Sequence, residues 1–131
     1  MRQRSAVIID DEPDVTTYLA TLLADNGWRV LTANRADEGL ELVRRERPDA
    51  VLLDLMMPER GGLNVLVNIR KDPELKATPV VVVSGIQSTL TTDYHAYLER
   101  FKHYRPDAYL DKPVKVDELL AKLEELLGTP A

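Results

Sequence analysis

The sequence contains no cysteine, and this absence excludes a disulfide framework and any metal site built from thiolates. No apolar run approaches the length of a transmembrane helix, and the run behind the basic N-terminal residues is too short for the core of a signal peptide. Acidic residues outnumber basic ones by 22 to 17, which argues against direct binding to nucleic acid or to an anionic membrane. We therefore expect a cytoplasmic protein that binds neither.

The composition is typical of one globular domain. The chain has 131 residues, of which 44% are hydrophobic and 30% are charged, so it can bury a substantial core. We expect a single domain over residues 1–131 whose core lies between residues 6 and 127. Because only a short tail follows the last predicted helix, we expect no separate output domain.

Short apolar runs alternate with segments in which apolar residues repeat at helical spacing. The predicted strands are residues 6–9, 28–31, 50–53, 79–83 and 108–110. A helical segment follows each strand, with the fourth at 87–105 and the fifth at 116–127. This strict order predicts parallel strands joined by right-handed crossovers. The expected fold is therefore a doubly wound α/β sandwich, a five-stranded parallel sheet flanked by five helices.

The fifth predicted helix has the clearest apolar face. We expect all six of its apolar members to be buried, namely Val116, Leu119, Leu120, Leu123, Leu126 and Leu127. The first predicted helix has a similar face, formed by Val15, Tyr18, Leu19, Leu22 and Leu23. Burial of its six apolar side chains would make the fifth helix part of the fold.

Four of the five predicted strands deliver a charged or hydroxyl side chain at their carboxyl end. These side chains are Asp10 and Asp11 after the first strand, Asp54 after the third, Ser84 after the fourth and Lys112 after the fifth. The carboxyl ends of parallel strands share one edge of the sheet, where open α/β folds bind their ligands. We assign no role to Asn34, which follows the second strand.

Carboxylates gathered at this edge would repel one another by roughly 4 kcal/mol per pair, for charges 4 Å apart at an effective dielectric constant of 20. A cation must neutralise them, and oxygen ligands without histidine or cysteine favour Mg²⁺. Mg²⁺, the Lys112 ammonium and the Ser84 hydroxyl around one carboxylate are the groups needed to stabilise a phosphoryl group in transfer. Asp54 would attack it as the nucleophile.

These residues resemble those of a response regulator receiver domain of two-component signalling, a CheY-like module with the flavodoxin-like fold. The resemblance extends over residues 6–127, and a set of short motifs in a fixed order carries it. The motifs are Asp10-Asp11, the stretch Asp54-Leu55-Met56-Met57-Pro58 with Gly62 beyond it, Ser84, and Lys112-Pro113. Each motif is weak alone, but the ordered set is highly specific.

The resemblance implies a role for each matching residue. Asp54 would be the phosphoacceptor. Mg²⁺ would be held by Asp11, by Asp54 and by the backbone carbonyl of Met56, while Asp10 would act through a water molecule.

Three further roles concern the phosphorylated state. Ser84 would bind a phosphoryl oxygen and Lys112 would pair with the phosphoryl group. Tyr109 would be the switch aromatic that responds together with Ser84. The resemblance also implies that the peptide bond between Lys112 and Pro113 is cis.

The resemblance implies a sensor histidine kinase or a histidine phosphotransfer protein as the phosphoryl donor. A downstream protein target, or an output domain of a longer protein, would contact the face formed by the fourth predicted helix, the fifth strand and the fifth helix. A homodimer that forms on phosphorylation is a further alternative. The chain between Ser84 and Lys112 is several residues longer than the common family pattern, so the identity of the partner is hardest to infer there.

Two other functions stay open at this point. A Mg²⁺-dependent aspartyl-phosphate phosphatase or phosphotransferase would resemble a pattern with a second acid two residues after the nucleophile, a position that Met56 occupies here. A degenerate receiver would serve only as a binding platform, although the intact acids, Ser84 and Lys112 count against it. For a receiver we expect no enzymatic activity beyond self-catalysed phosphotransfer and autodephosphorylation.

Overall fold

A computed structural model describes residues 3–55, 57, 61–85 and 104–128, with Ser84 and Gly85 described by their backbone alone. The strands are β1 (Ser5–Ile9), β2 (Arg29–Ala33), β3 (Ala50–Leu53), β4 (Val80–Gly85) and β5 (Ala108–Lys112). The helices are α1 (Pro13–Asp25), α2 (Ala36–Glu46), α3 (Gly61–Lys71) and a C-terminal helix (Val116–Leu127). The fourth predicted helix, 87–105, lies outside the described residues except at its last two positions.

All five strands pair in parallel in the order β2-β1-β3-β4-β5, which confirms the predicted sheet. The chain first adds β2 on one side of β1 and then β3 on the other. This change of direction opens a crevice outside the carboxyl ends of β1 and β3, the usual ligand site of such sheets. Every residue of β1 and β3 is buried, as expected for strands covered by helices on both faces.

The alternation of side chains along the strands divides the interior into two cores. One core packs the sheet against α2 and α3, and it includes Val7, Ile9, Val51, Leu53, Val43, Leu66 and Ile69. The other packs the sheet against α1 and the C-terminal helix, and it includes Ala6, Ile8, Leu52, Leu19, Leu23, Leu119 and Leu123. The layers are therefore those of a doubly wound α/β sandwich.

Two expectations about apolar helix faces are wrong. Val116 is 40% exposed and Tyr18 is 50% exposed. Leu119 and Leu123 are fully buried, and the other three leucines of the C-terminal helix, Leu120, Leu126 and Leu127, are partly buried. Side chains on a helix lean toward its N-terminus, so a residue in the first position extends past the helix end instead of onto the sheet. Tyr18 lies at the border of the apolar face, and its hydroxyl donates to the carbonyl of Val114 at 3.1 Å. None of the described helices is long and apolar enough to cross a membrane.

Arg70, near the end of α3, fixes the entry of the chain into β4 and β5. Its guanidinium donates to the carbonyls of Thr78 at 2.7 Å and Arg105 at 2.9 Å, and it pairs with Asp107 at 2.7 Å. The same Asp107 carboxylate accepts from the backbone N–H of Val80 at 2.8 Å. The Arg70 side chain is only 10% exposed, whereas that of Asp107 is 39% exposed, so the guanidinium lies at the edge of the core and its acceptors lie nearer to solvent.

Replacing Arg70 by lysine should lower the free energy of unfolding by about 2 kcal/mol, because a single ammonium cannot serve all these acceptors and leaves some of them unpaired. Arg35→Lys is the matched control, since Arg35 pairs with Asp37 at an exposed site. It should change stability by less than about 0.5 kcal/mol. Urea unfolding followed by the fluorescence of Trp28 measures both. Equal stabilities for the two variants would contradict this role of Arg70.

Candidate functional site

Three of the predicted site residues, Asp10, Asp54 and Lys112, meet where the strands end at the crevice. Asp10 follows β1 and Asp54 follows β3, and the pairing of Ile9 with Leu53 places these two acids at the same level. Lys112 is the last residue of β5, and it lies opposite Gly85 of β4 in the strand register. Strand register therefore brings acids and lysine together from distant parts of the chain.

The ammonium of Lys112 lies between the two buried acids. Its Nζ is 2.8 Å from Oδ2 of Asp10 and 3.5 Å from Oδ2 of Asp54, and Oε1 of Glu12 is 3.8 Å away. Asp10 and Asp54 are 2% and 5% exposed, while the side chain of Lys112 is 21% exposed. The site thus combines two nearly buried carboxylates with a cation that still reaches solvent.

One ammonium faces three carboxylates here, and burial and neighbouring charges together shift the pKa values of Asp10 and Lys112. Burial raises the pKa of Asp10 against the hydrogen bonds from Lys112 and the Glu12 N–H, and the charge of Asp54 raises it further. Burial acts to lower the pKa of Lys112, but the hydrogen bond to Asp10 and the charges of Asp54, Asp10 and Glu12 raise it overall. Lys112 therefore stays protonated at neutral pH.

Three consecutive acids form an oxygen cluster beside this ion pair. Carboxylate oxygens of Asp10, Asp11 and Glu12 lie within 4.8 Å of one another, with Asp10 buried and the other two exposed. Three hard oxygen donors next to open solvent fit Mg²⁺, which keeps several waters and binds few carboxylates. Of the predicted metal ligands, Met56 lies outside the described residues.

Sequence reasoning gave Glu12 no part in the metal site. Glu12 occupies the N-cap position of α1, and within the described chain its side chain makes no capping hydrogen bond. The carboxylate is therefore available to the acidic cluster. The available signal was the run of three acids itself, which is equally typical of a helix N-terminus.

The two predicted switch residues differ in what the structure shows. Ser84 lies in β4 opposite Asp111, and its side chain lies outside what is described. Tyr109 lies in β5 opposite Val82 and is 44% exposed. Partial burial raises the pKa of the Tyr109 hydroxyl, against the charge of Arg105. The peptide bond between Lys112 and Pro113 is cis, as expected.

Comparison with known proteins decides the family. The family model described as the response regulator receiver domain matches residues 6–124. The chain belongs to this family. This match favours the receiver interpretation over a phosphatase, because it includes every motif on which the resemblance rests.

Curated relatives of the receiver domain include both short and long proteins. Protein PilH of Pseudomonas aeruginosa is 33% identical over 122 residues, which cover 93% of this chain and 96% of PilH. Response regulator MprA of Mycobacterium leprae is 37% identical over 119 residues, which cover 91% of this chain and 49% of MprA. The receiver domain thus spans nearly all of one relative and about half of the other.

Solved structures agree with the fold. A CheY-like receiver domain protein from Methanospirillum hungatei has a TM-score of 0.82 at 25% identity, covering 96% of this chain and 94% of its own. The receiver domain of sensor histidine kinase PA1611 from Pseudomonas aeruginosa has a TM-score of 0.84 at 23% identity, covering 98% and 100%. Because the sequence identity to the PA1611 receiver domain is only 23%, this structural similarity supports the fold alone.

Gly62 allows α3 to begin directly against the backbone of the candidate phosphoacceptor. A Cβ atom at this position would overlap the carbonyl oxygen of Asp54 and lie 2.5 Å from Cα of Leu55. Backbone atoms cannot rotate away, so any side chain at position 62 would displace either α3 or Asp54. At Gly39 in α2, the three atoms nearest to such a Cβ would instead be side-chain carbons of the buried Ile9, at 2.6 to 2.8 Å.

Gly62→Ala should therefore lower the free energy of unfolding by about 3 kcal/mol, at the upper end of overpacking costs. Asn64→Ala is the control, because Asn64 is exposed in the same helix, and it should change stability by less than about 0.5 kcal/mol. Urea unfolding compares the two variants. The amide resonance of Asp54 should shift in the Gly62 variant and stay in place in the Asn64 variant. A stable Gly62→Ala protein with an unmoved Asp54 resonance would contradict this packing role.

Proposed function

We propose that the receiver domain accepts a phosphoryl group on Asp54 from a phosphohistidine of a sensor histidine kinase or a histidine phosphotransfer protein. A carboxylate oxygen of Asp54 attacks the phosphorus atom, the bond between phosphorus and the histidine nitrogen breaks, and the released imidazole takes up a proton. The product is an acyl phosphate. The observation that carries this proposal is the Lys112 ammonium, held 3.5 Å from Asp54 and 2.8 Å from Asp10.

The charges of the site support this role. A phosphoryl group brings negative oxygens toward a crevice that already holds several carboxylates, so approach requires positive charge. Lys112 supplies one fixed cation from within the fold. Its orientation is maintained by Asp10, whose buried carboxylate accepts both from Lys112 and from the backbone N–H of Glu12. In this position Lys112 would pair with the phosphoryl oxygens.

The residues that would hold Mg²⁺ are Asp11 and Asp54, with Asp10 through water and the Met56 carbonyl as the family pattern implies. The cluster of Asp10, Asp11 and Glu12 oxygens supports this assignment and adds Glu12 at its outer side. A bound Mg²⁺ would offset the charge of these acids and of the phosphoryl oxygens. In line with this, the receiver domain of sensor histidine kinase PA1611 has a magnesium ion coordinated in its active site cleft.

Signalling would follow from a shift between two conformations. Ser84 would bind a phosphoryl oxygen, and Tyr109, which is now 44% exposed, would turn inward. The affected face would comprise the fourth predicted helix, β5 and the C-terminal helix. Self-catalysed phosphotransfer and autodephosphorylation would be the sole reactions, as suits a signalling module.

The output would be a protein contact, made with a separate target, with an output domain of a longer protein or with a second copy of the chain. The net charge of -5 argues against direct binding to DNA. A cytoplasmic location would match the kinase donor and the absence of cysteine. The relatives allow both arrangements, since the chain covers 96% of PilH and 49% of MprA.

Acetyl phosphate should phosphorylate the protein only when Mg²⁺ is present, and intact mass spectrometry should show one phosphoryl group per chain. Asp54→Asn should remain unmodified because it lacks the nucleophile. Asp111→Asn removes an exposed acid next to Lys112 at the same edge and should be modified like the unaltered protein. Labelling of Asp54→Asn to the same extent would refute the assignment of the phosphoacceptor.

Beryllofluoride with Mg²⁺, which stands in for the phosphoryl group, should change amide exchange in β5 and in the C-terminal helix as well as near Asp54. The physical reason is that contacts made by Ser84 and Tyr109 favour one of the two conformations. Tyr109→Ala should abolish the distant change and keep the local one. Exchange that changes only beside Asp54 in the unaltered protein would contradict the proposed output face.

A further inference from the structure

The loop that carries the acidic cluster is held by a residue from another strand. Asn34 follows β2, and its Nδ2 donates to the backbone carbonyl of Asp10 at 2.8 Å and to Oγ1 of Thr16 at 3.1 Å. An amide nitrogen has two hydrogens, so both bonds can form at once. Asn34 therefore joins the end of β1 to the first turn of α1, on either side of Asp11 and Glu12.

Thr16 extends this connection into the helix. Its side chain is buried, with 3% of the residue exposed, and its hydroxyl donates to the carbonyl of Pro13 at 3.0 Å while it accepts from Asn34. Within the described chain, Glu12 makes no side-chain cap for α1, and Pro13 has no N–H. The start of the helix is thus fixed from the side by Thr16 and Asn34.

The loop has further bonds that depend on the position of Asp10. The Asp10 N–H donates to the carbonyl of Ala33 at 3.1 Å, and Oδ1 of Asp10 accepts from the Glu12 N–H at 2.9 Å. With the Asn34 bond, these contacts hold both backbone groups of Asp10 against the end of β2. The relative positions of the three carboxylates follow from this backbone path.

We propose that Asn34 and Thr16 are positioning residues that hold the Asp10-Asp11-Glu12 loop in the arrangement that binds Mg²⁺. The inference rests on the proposed function, in which these acids take part in the metal site. Like charges on adjacent residues favour a loop that spreads them apart, so the loop needs uncharged contacts that keep the carboxylates together before the cation arrives. Groups that orient metal ligands from outside the coordination shell typically change metal affinity by roughly 10-fold to 100-fold when they are removed.

Calorimetric titration with MgCl₂ tests this inference without phosphorylation. Asn34→Leu and Thr16→Val keep the approximate size of each side chain and remove the hydrogen bonds, so each should weaken Mg²⁺ binding roughly 10-fold. Thr16→Ser keeps the hydroxyl and should bind Mg²⁺ within about 2-fold of the unaltered protein, on the same reasoning. Asn26→Leu is the matched control, because Asn26 donates to the carbonyl of Leu22 at the far end of the same helix. It should leave the affinity unchanged.

A second measurement uses the protein without metal. Amide exchange at Glu12 should be faster in Asn34→Leu and in Thr16→Val than in Asn26→Leu, because the Asp10 carboxylate that accepts from this N–H would be less well placed. A merely structural role would lower thermal stability in all three variants without this local change. The Thr16 pair remains informative if Asn34→Leu does not fold.

The outcomes separate the inference from the proposed function. If the unaltered protein binds Mg²⁺ and both Asn34→Leu and Thr16→Val bind it equally well, the positioning role is overturned and the metal site stands. If the unaltered protein binds no Mg²⁺, the proposed function fails and the inference fails with it. Weaker binding in Thr16→Val, restored in Thr16→Ser, supports the inference.

Discussion

The ion pair between Lys112 and the buried acids is the interaction on which the site depends. Charges withdrawn from water lose hydration, and a buried carboxylate without a partner is costly. Asp10 obtains the Lys112 ammonium at 2.8 Å and a backbone N–H at 2.9 Å, which offset this loss. The surrounding acids leave the cluster with more negative than positive charge. We expect such a site to fold and still to attract a further cation.

This ion pair in turn depends on the register of the sheet. Asp10, Asp54 and Lys112 leave three different strands, and the contacts form only because parallel pairing brings the strand ends level. A slip of one residue in β5 would turn Lys112 to the opposite face of the sheet. The two apolar cores prevent such a slip, because each face of the sheet accepts only its own set of side chains. Packing far from the crevice thus determines its electrostatics.

Sequence patterns were sufficient for the fold and for the centre of the site. Short apolar runs that end in Asp10, Asp54 and Lys112 predicted both the parallel sheet and the meeting of these residues at one edge. The sequence did not predict the contacts that Glu12 and Asn34 make at the site. Acids before a helix and a polar residue after a strand are common without any function. The sequence also did not predict that Val116 is exposed, because periodicity identifies a helix face but not where the helix begins relative to the sheet.

Arg70 has a consequence for how the chain can vary in length. The resemblance drawn from the sequence implies a longer chain between Ser84 and Lys112 than the common family pattern. In the structure, β5 pairs with β4 from Ala108 to Lys112 in regular order. Arg70 and Asp107 anchor the point where this longer segment returns to the sheet. An anchor at this point allows the length of the chain before Asp107 to vary while Lys112 keeps its place at the carboxyl end of β5.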